Sequence, residues 1–356
     1  MILNKFNSKL FLLILVLILF IVSFISIGFG PVSISIEQIL DIVLYKLGIL
    51  ADQSAPSFNL THESVLWDIR MPRVLLGILV GLGLGCSGAI LQGLFRNPLV
   101  DPGFIGVSSG AAVGAMVTIM FSATISLYFI DFFIPFMLPI LAMSGAFITT
   151  MLIYRMSKVS NKTNIMAMLL SGIAINALSG SIIGLFVSIS SDSELRSFTF
   201  WTLGGLDNAS WNIVGISSLF ILTSFFTIYV IRKQLDIFML GDAEAQHLGV
   251  NVESLKKKII LIASIMVGIS VSFCGMIGFI GLVTPHIIRL FIGPKHKYLI
   301  PGAALLGAIL LVFSDLIAKT IIAPAQLPIG VVTSSIGAPF FIWLIFKQKG
   351  RIGYSE

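Results

Sequence analysis

From Val74 to Leu94 the chain reads VLLGILVGLGLGCSGAILQGL, without one charged residue. A helix of that length crosses the roughly 30 Å hydrocarbon core of a bilayer, and in lipid a backbone satisfies its hydrogen bonds only as a helix or a closed barrel. The run is therefore a membrane-spanning helix. Inside it Gly77, Gly81, Gly83, Gly85, Ser87, Gly88 and Ala89 are small, and small residues let neighbouring helices approach backbone to backbone. A tight polytopic bundle around this span is the consequence. Arg70 and Arg73 precede the run, and an Asn97-Pro98 turn follows it.

Hydrophobic segments recur near residues 10–30, 72–94, 104–122, 132–154, 165–190, 212–231, 259–275, 277–292, 299–321 and 328–346. Those at 104–122 and 277–292 are short or broken. The expected fold is an all-α membrane protein, one polytopic domain over 1–356, with about ten transmembrane helices. Of its residues 57% are hydrophobic and 11% charged, whereas soluble domains carry about 25% charge. The apolar run at 10–30 is too long for a secretory leader and lacks an A-x-A site, so it reads as a retained first span. With the N-terminus inside, every Lys and Arg except Lys46, Arg70, Arg73, Arg196 and Lys319 falls on the cytoplasmic side. The positive-inside rule then places both termini in the cytoplasm. The net charge of +6 thus reports topology, and no nucleic-acid partner is expected.

Two landmarks repeat in order. Ser87-Gly88 with Asn97-Pro98 recurs as Cys274-Gly275 with Thr284-Pro285, and GAAVGA at 110–115 recurs as GAALLGA at 302–308. The copies start on oppositely directed helices, which predicts an inverted internal repeat with halves at about 70–190 and 258–346. In the first external loop, Ser35 and Gln38 have capping-box spacing before a helical apolar period, predicting a short surface helix. The external connection Ser197–Trp211 combines aromatic residues with Gly204-Gly205; Trp201 and Trp211 fit either an interfacial contact or core and belt packing.

Catalytic parts are missing from the sequence. There is no H-E-x-x-H, no G-x-S-x-G and no P-loop, so the chain is not expected to be an enzyme, and any ATP energy has to come from a partner. Cys86 and Cys274 both fall in spans and offer neither a disulfide framework nor a metal site. Asp315 and Lys319 share a helix face at i, i+4 and read as a charge pair near the external surface, with a proton relay as the other reading. The longest cytoplasmic connection, 232–258, contains LGDAEAQHLGVNVESLKKK. Gly241 to Leu248 reads as a two-turn helix, with Asp242 and Glu244 in its first turn and Gly249 at the C′ position; a second short helix from Val252 should follow. So short a helix needs something to dock on, either its own bundle or a soluble partner.

Four separated stretches, IRMPRVLLGILVGLGLGCSGAILQGLFRNPLVDPGFIGVSSGAAVG, LGDAEAQHLGV, GFIGLVTPHIIRLFIG and LPIGVVTSSIGAPFFIWLI, together resemble the FecCD-family permeases of type II ATP-binding-cassette importers for iron siderophores, haem and cobalamin. The resemblance runs from about residue 35 to the end of the last span. It implies a cobalamin-permease-like fold in the cytoplasmic (inner) membrane, a second permease copy forming a homodimer, one cytoplasmic ATPase under each copy, and an external substrate-binding protein. No cofactor is implied for this chain; ATP is used by the partner subunit. By position, Arg70, Arg73 and Lys319 match basic residues at the external mouth that pair with binding-protein carboxylates; snorkelling beside Trp67 is the alternative for the two arginines. Gln326 stands where members often have Glu. Asn97, Pro98 and Leu99 match a turn of the cytoplasmic gate, or simply end a helix. Gly241, Asp242, Ala243, Glu244, Ala245, Leu248 and Gly249 match the helix that couples to the ATPase. The competing reading is an ion-coupled secondary transporter, which would need intramembrane ionisable groups, and Asp315 is the only acid clearly inside a span.

Overall fold

A computed structural model describes residues 7–30, 32–49, 58–122, 124, 127, 131–160, 162–323 and 325–352. Lys5, one of the cytoplasmic charges, lies outside them. Helix α1 (Ser8–Gly28) is followed by the surface helix α2 (Ile36–Lys46) and the short α3 (Leu60–Ser64). In α2 the Ser35 and Gln38 side chains close the expected capping box. A π-helical stretch Val65–Arg70 leads without a break into α4 (Met71–Leu94), with Pro72, which has no N–H to donate, just past the junction. Next come α5 (Val107–Met120), α6 (Met137–Met156) and a two-stranded hairpin, Lys158–Val159 with Lys162–Thr163. Helices α7 (Ile165–Ile189), α8 (Asp192–Leu203) and α9 (Trp211–Val230) precede two short helices in the connection 232–258, α10 (Arg232–Phe238) and α11 (Asp242–His247). The chain ends with α12 (Val252–Cys274), α13 (Ile280–Ile292), α14 (His296–Thr320) and α15 (Ile329–Ile352).

Each of the ten expected spans is an apolar helix. Among the described residues seven helical segments are long and apolar enough to cross a membrane, and α5 and α13 are shorter apolar helices. The centre is α4: it packs on α9, α12, α13 and α14, and nearly all of its side chains are buried. Its glycines make that possible. A Cβ on Gly81 would run into the Gly307 carbonyl and the Ala308 backbone of α14, and the same holds at Gly110 of α5 against Gly145 of α6. These seams let two backbones touch, so van der Waals contact replaces the hydrophobic drive that lipid cannot supply. By contrast α1 and α7 bury few residues.

Three local expectations change. Val252 does not begin a separate short helix; Asn251 caps one continuous helix that becomes the span to Cys274. The connection before Trp211 is not a loop throughout, because α8 forms behind a Ser191–Glu194 capping box. The repeat landmarks sit in unlike backbone: Asn97-Pro98 is in an open turn, whereas Thr284-Pro285 is inside α13, and Gly88 is within α4 while Gly275 ends α12 at φ +69°. Residues 110 and 114 and residue 307 nevertheless serve alike as close-contact seams.

Candidate functional site

At the end of the bundle expected to face outward, the three basic residues are drawn inward. Arg70 closes the π-helical stretch, and its Nη1 donates to the Ile27 and Gly28 carbonyls at 2.9 Å, with Nη2 donating to the Val32 carbonyl. It thereby satisfies the orphan carbonyls at the C-terminus of α1, where a cation is also favoured by the helix dipole. Arg73 spreads its fork over three acceptors. Nε donates to Asp315 Oδ1 at 2.9 Å and Oδ2 at 3.1 Å, Nη2 lies 2.8 Å from Asp315 Oδ1, and Nη1 donates to Asp207 Oδ1 and Gln326 Oε1, both at 2.9 Å. Lys319 Nζ donates to the Ser26 carbonyl at 2.5 Å and its hydroxyl at 3.0 Å.

The expected Asp315–Lys319 charge pair is therefore not the one formed. Asp315 is 1% exposed and takes Arg73, which can supply a bidentate fork that an ammonium cannot. Lys319 turns instead to α1. Nor do Arg70, Arg73 and Lys319 stand as free surface charges, since each is under a tenth exposed and internally bonded. The exposed members of the cluster are Asp207, whose side chain is 61% accessible, and Gln326. The Gln326 amide, standing where an acid was weighed, completes the Arg73 shell without adding charge. Trp211 Nε1 donates to the Trp67 carbonyl at 2.9 Å and the two rings lie 5.1 Å apart, so Trp211 packs at this end.

Between α8, the α12–α13 break and α15 opens a cavity of about 470 Å3 lined by Thr202, Met276, Ser334 and Ser335 among others. Leu203, Val331 and the Met276 thioether alternate with three hydroxyls, which gives it uncharged, mostly apolar walls. Phe279, at the N-terminus of α13, holds a left-handed φ of +67°, and a Cβ on Gly337 of α15 would collide with it. Sequence reasoning did not single out this cavity, although the Ser191–Glu194 box could have revealed the helix that forms one wall.

At the opposite end the proposed gate and coupling residues prove to be neighbours. The C-terminus of α4 is a Schellman turn: the Arg96 N–H reaches the Gly93 carbonyl and the Asn97 N–H the Gln92 carbonyl. Arg96 occupies the left-handed position, φ +49°, that glycine normally fills. Asn97 Oδ1 accepts from the Leu99 N–H at 3.0 Å; Asn97 and Pro98 are exposed and Leu99 half-buried. From its unusual position Arg96 Nη2 reaches Asp242 Oδ1 at 2.6 Å and the Phe238 carbonyl at 2.7 Å, with its guanidinium 4.3 Å from the Phe238 ring centre. Asp242 Oδ2 accepts from buried Lys256 of α12 at 2.7 Å, and Lys256 also donates to the Thr163 carbonyl at 3.0 Å. Glu253 accepts from the Thr163 N–H and hydroxyl, both at 2.8 Å. Burial alone would raise the Asp242 carboxyl, but the hydrogen bonds from Lys256 and Arg96 hold it below the ordinary carboxylate range.

Helix α11 is thus anchored by Asp242 and by buried Ala245, while Ala243, Glu244, Leu248 and Gly249 remain exposed. Gly241, at φ +135°, and Gly249, at φ +83°, bracket it as expected. Leu240 and Leu248 are 64% and 59% exposed. They stand at the two ends of α11, and single exposed leucines are ordinary. The Arg96–Asp242 contact joins residues too distant in the chain for any spacing rule to pair them.

Comparison with known proteins shows what the chain as a whole is similar to. The model of the FecCD transport family matches residues 16–347. The hemin transport system permease protein HmuU of Yersinia pestis is 40% identical over 312 residues, 85% of this chain and 91% of that one. The cobalamin import system permease protein BtuC of Halobacterium salinarum is 35% identical over 291 residues, 82% of this chain and 76% of that one. An ABC transporter described as metal-chelate type, solved in an inward-facing conformation, superposes with a TM-score of 0.81 at 30% identity, covering 94% of this chain and 98% of the other.

Proposed function

The chain belongs to the FecCD transport family, and from that premise we propose that it carries an iron chelate such as a ferric siderophore, or a related haem or cobalamin, into the cell. It is the multi-pass permease subunit of an ATP-binding-cassette importer in the inner membrane, a class that works with a separate ATPase and an external binding protein. In our reading both termini are cytoplasmic, ATP is hydrolysed by the partner alone and the permease holds no cofactor. Two copies pair. Helix α7 supports the pairing, because Gly180 and Gly184 have open space around them and Ala177 and Ser181 are exposed, an unused small-residue face. The cavity beside α15 is where a bulky cargo would pass.

The observation that carries the importer reading is the Arg96–Asp242–Lys256 latch. A force on exposed α11 from an ATPase below reaches the Asn97-Pro98-Leu99 turn through Arg96 and the span α12 through Lys256. That is a mechanical route from ATPase to gate. At the outer end Arg73 Nη1 is shared with exposed Asp207. We read this as a latch that a binding-protein carboxylate opens by exchanging with Asp207, while Arg70 and Lys319 brace α1 behind it. The secondary-transporter reading is weakened by the same cluster, since Asp315 is 1% exposed and already ion-paired with Arg73. Reconstituting the permease with its ATPase and loaded binding protein in proteoliposomes tests the assignment. Uptake of hemin, ferric siderophore or cobalamin should require ATP and survive ionophores; uptake driven by an ion gradient without ATP would refute it.

A further inference from the structure

A second, larger cavity of about 750 Å3 lies where α10 and the ends of α4, α13 and α14 meet, on the same side of the bundle as α11. Its walls carry Arg232, Lys233, Arg289, Lys295 and Lys297, against a single carboxylate, Asp236. That carboxylate is already engaged, because Asp236 Oδ1 accepts from the His296 N–H at 3.0 Å and pairs with the His296 ring Nδ1 at 2.7 Å. Arg289 is half-buried, its Nη1 donates to Gln92 Oε1, and among the described residues no carboxylate lies within ion-pair distance of it. Arg232 donates to the Tyr229 carbonyl at 2.5 Å and stacks on that ring at 4.0 Å. Lys233, Lys295 and Lys297 are exposed. Five cations thus converge on one concavity against one carboxylate, which is bonded to His296, and a half-buried guanidinium without a counter-charge is costly to keep. His296 adds a buried ring nitrogen, Nε2, with no partner, beside Gly93 of the same wall.

The surroundings say where the missing anion comes from. Arg289 is followed directly by exposed Leu290 and Phe291, and Phe291 stacks on Phe11 of α1 at 5.3 Å. On the other flank Val230 of α9, 75% exposed, precedes Arg232. Apolar side chains at hydrocarbon depth with basic ones one step beyond are the pattern by which a cytoplasmic basic pocket holds a lipid headgroup. A free phosphate would use the cations but leave the apolar flanks without a role. We propose that this cavity binds the phosphate of an anionic phospholipid of the cytoplasmic leaflet, of the phosphatidylglycerol class, with its acyl chains along Leu290, Phe291 and Phe11. The inference rests on the orientation proposed above. Because α10 leads into α11, such a lipid would brace the base of the coupling loop.

Native mass spectrometry of the detergent-purified full-length permease, titrated with dioleoyl phosphatidylglycerol, dioleoyl phosphatidylcholine or inorganic phosphate, tests it. Phosphatidylglycerol should be retained over phosphatidylcholine. The exposed-site variants Lys233→Gln, Lys295→Gln and Lys297→Gln should each weaken retention about fivefold, with unchanged thermal unfolding. Lys257→Gln and Lys258→Gln, at exposed lysines of α12 outside the cavity, should change nothing. Equal retention of the two lipids, or an equal loss in the control variants, would overturn the proposal. So would displacement of the lipid by equimolar inorganic phosphate, which would make the ligand a soluble anion. Loss of ATPase co-purification in the cavity variants with lipid preference intact would make the cavity a protein contact instead.

Discussion

Removing the Arg73 guanidinium while Asp315 stays would strand a carboxylate that is 1% exposed. Breaking a buried pair by deleting one partner costs about 3–5 kcal/mol, because the other charge is left uncompensated. Arg73→Gln should therefore unfold at a clearly lower temperature in detergent, and adding Asp315→Asn should recover most of the loss. If the single and double variants melt alike, the pair is not what holds this end together. Asp207→Asn asks a different question of the same fork. Asp207 is largely exposed, and such pairs contribute only roughly 0–1 kcal/mol, so the fold should survive with Arg73 Nη1 freed of its second carboxylate and still held by Gln326. Docking of the loaded binding protein, measured by surface plasmon resonance, should then tighten; unchanged affinity would refute the exchange at the mouth. The chain order could not have shown which partner Arg73 takes. Sequence spacing put Asp315 beside Lys319 on one helix face, and the choice between them is made by the approach of α4 to α14, where a planar fork reaches both carboxylate oxygens.

Helix α11 was readable because its signals are local: Gly241 before it, two acids in its first turn and Gly249 after it. What it is tied to was not, since Arg96 and Lys256 arrive from α4 and α12. The spans themselves were legible for a similar reason, as lipid imposes one pattern on every segment that crosses it, whereas α8 was hidden among aromatic residues despite its capping box. The cost of the Arg96 contact is visible in the backbone. A non-glycine residue in the left-handed region costs roughly 1–2 kcal/mol, so Arg96→Gly should leave the permease at least as stable while cutting the link to Asp242. Expected in proteoliposomes is an assembled complex that hydrolyses ATP without uptake; normal uptake would show that the gate is driven by another route. The pH dependence has a definite sign. A carboxylate held low in the folded state contributes its stabilisation above its unfolded value, about 3.9, and loses it only as pH falls through the lower folded one. Coupling through Asp242 should therefore be flat between about pH 8 and 5.5, and a decline in that range that Asp242→Asn removes would contradict the latch.

In sequence, Gly81 and Gly184 look interchangeable, each a glycine in an apolar span. In the assembled molecule they are opposites. Gly81 lies under the Gly307 carbonyl, whereas a Cβ on Gly184 would meet no other part of the described residues within 4 Å. A side chain at Gly81 would have to push α14 away from α4, and overpacking of this kind typically costs about 1–3 kcal/mol; Gly81→Leu should lower the yield and melting temperature of the single chain. At Gly184 a leucine would meet only whatever packs on α7 from outside. If that is the α7 face of a second permease, Gly184→Leu should melt like the parent protein in dilute detergent yet elute as a monomer, with light scattering reporting half the mass. Transport should fail with it, since a path formed between two copies is lost along with the pairing. Should Gly184→Leu remain dimeric, α7 faces lipid and the two copies meet on other helices. The contrast between the two glycines separates the packing that folds one chain from the packing that pairs two.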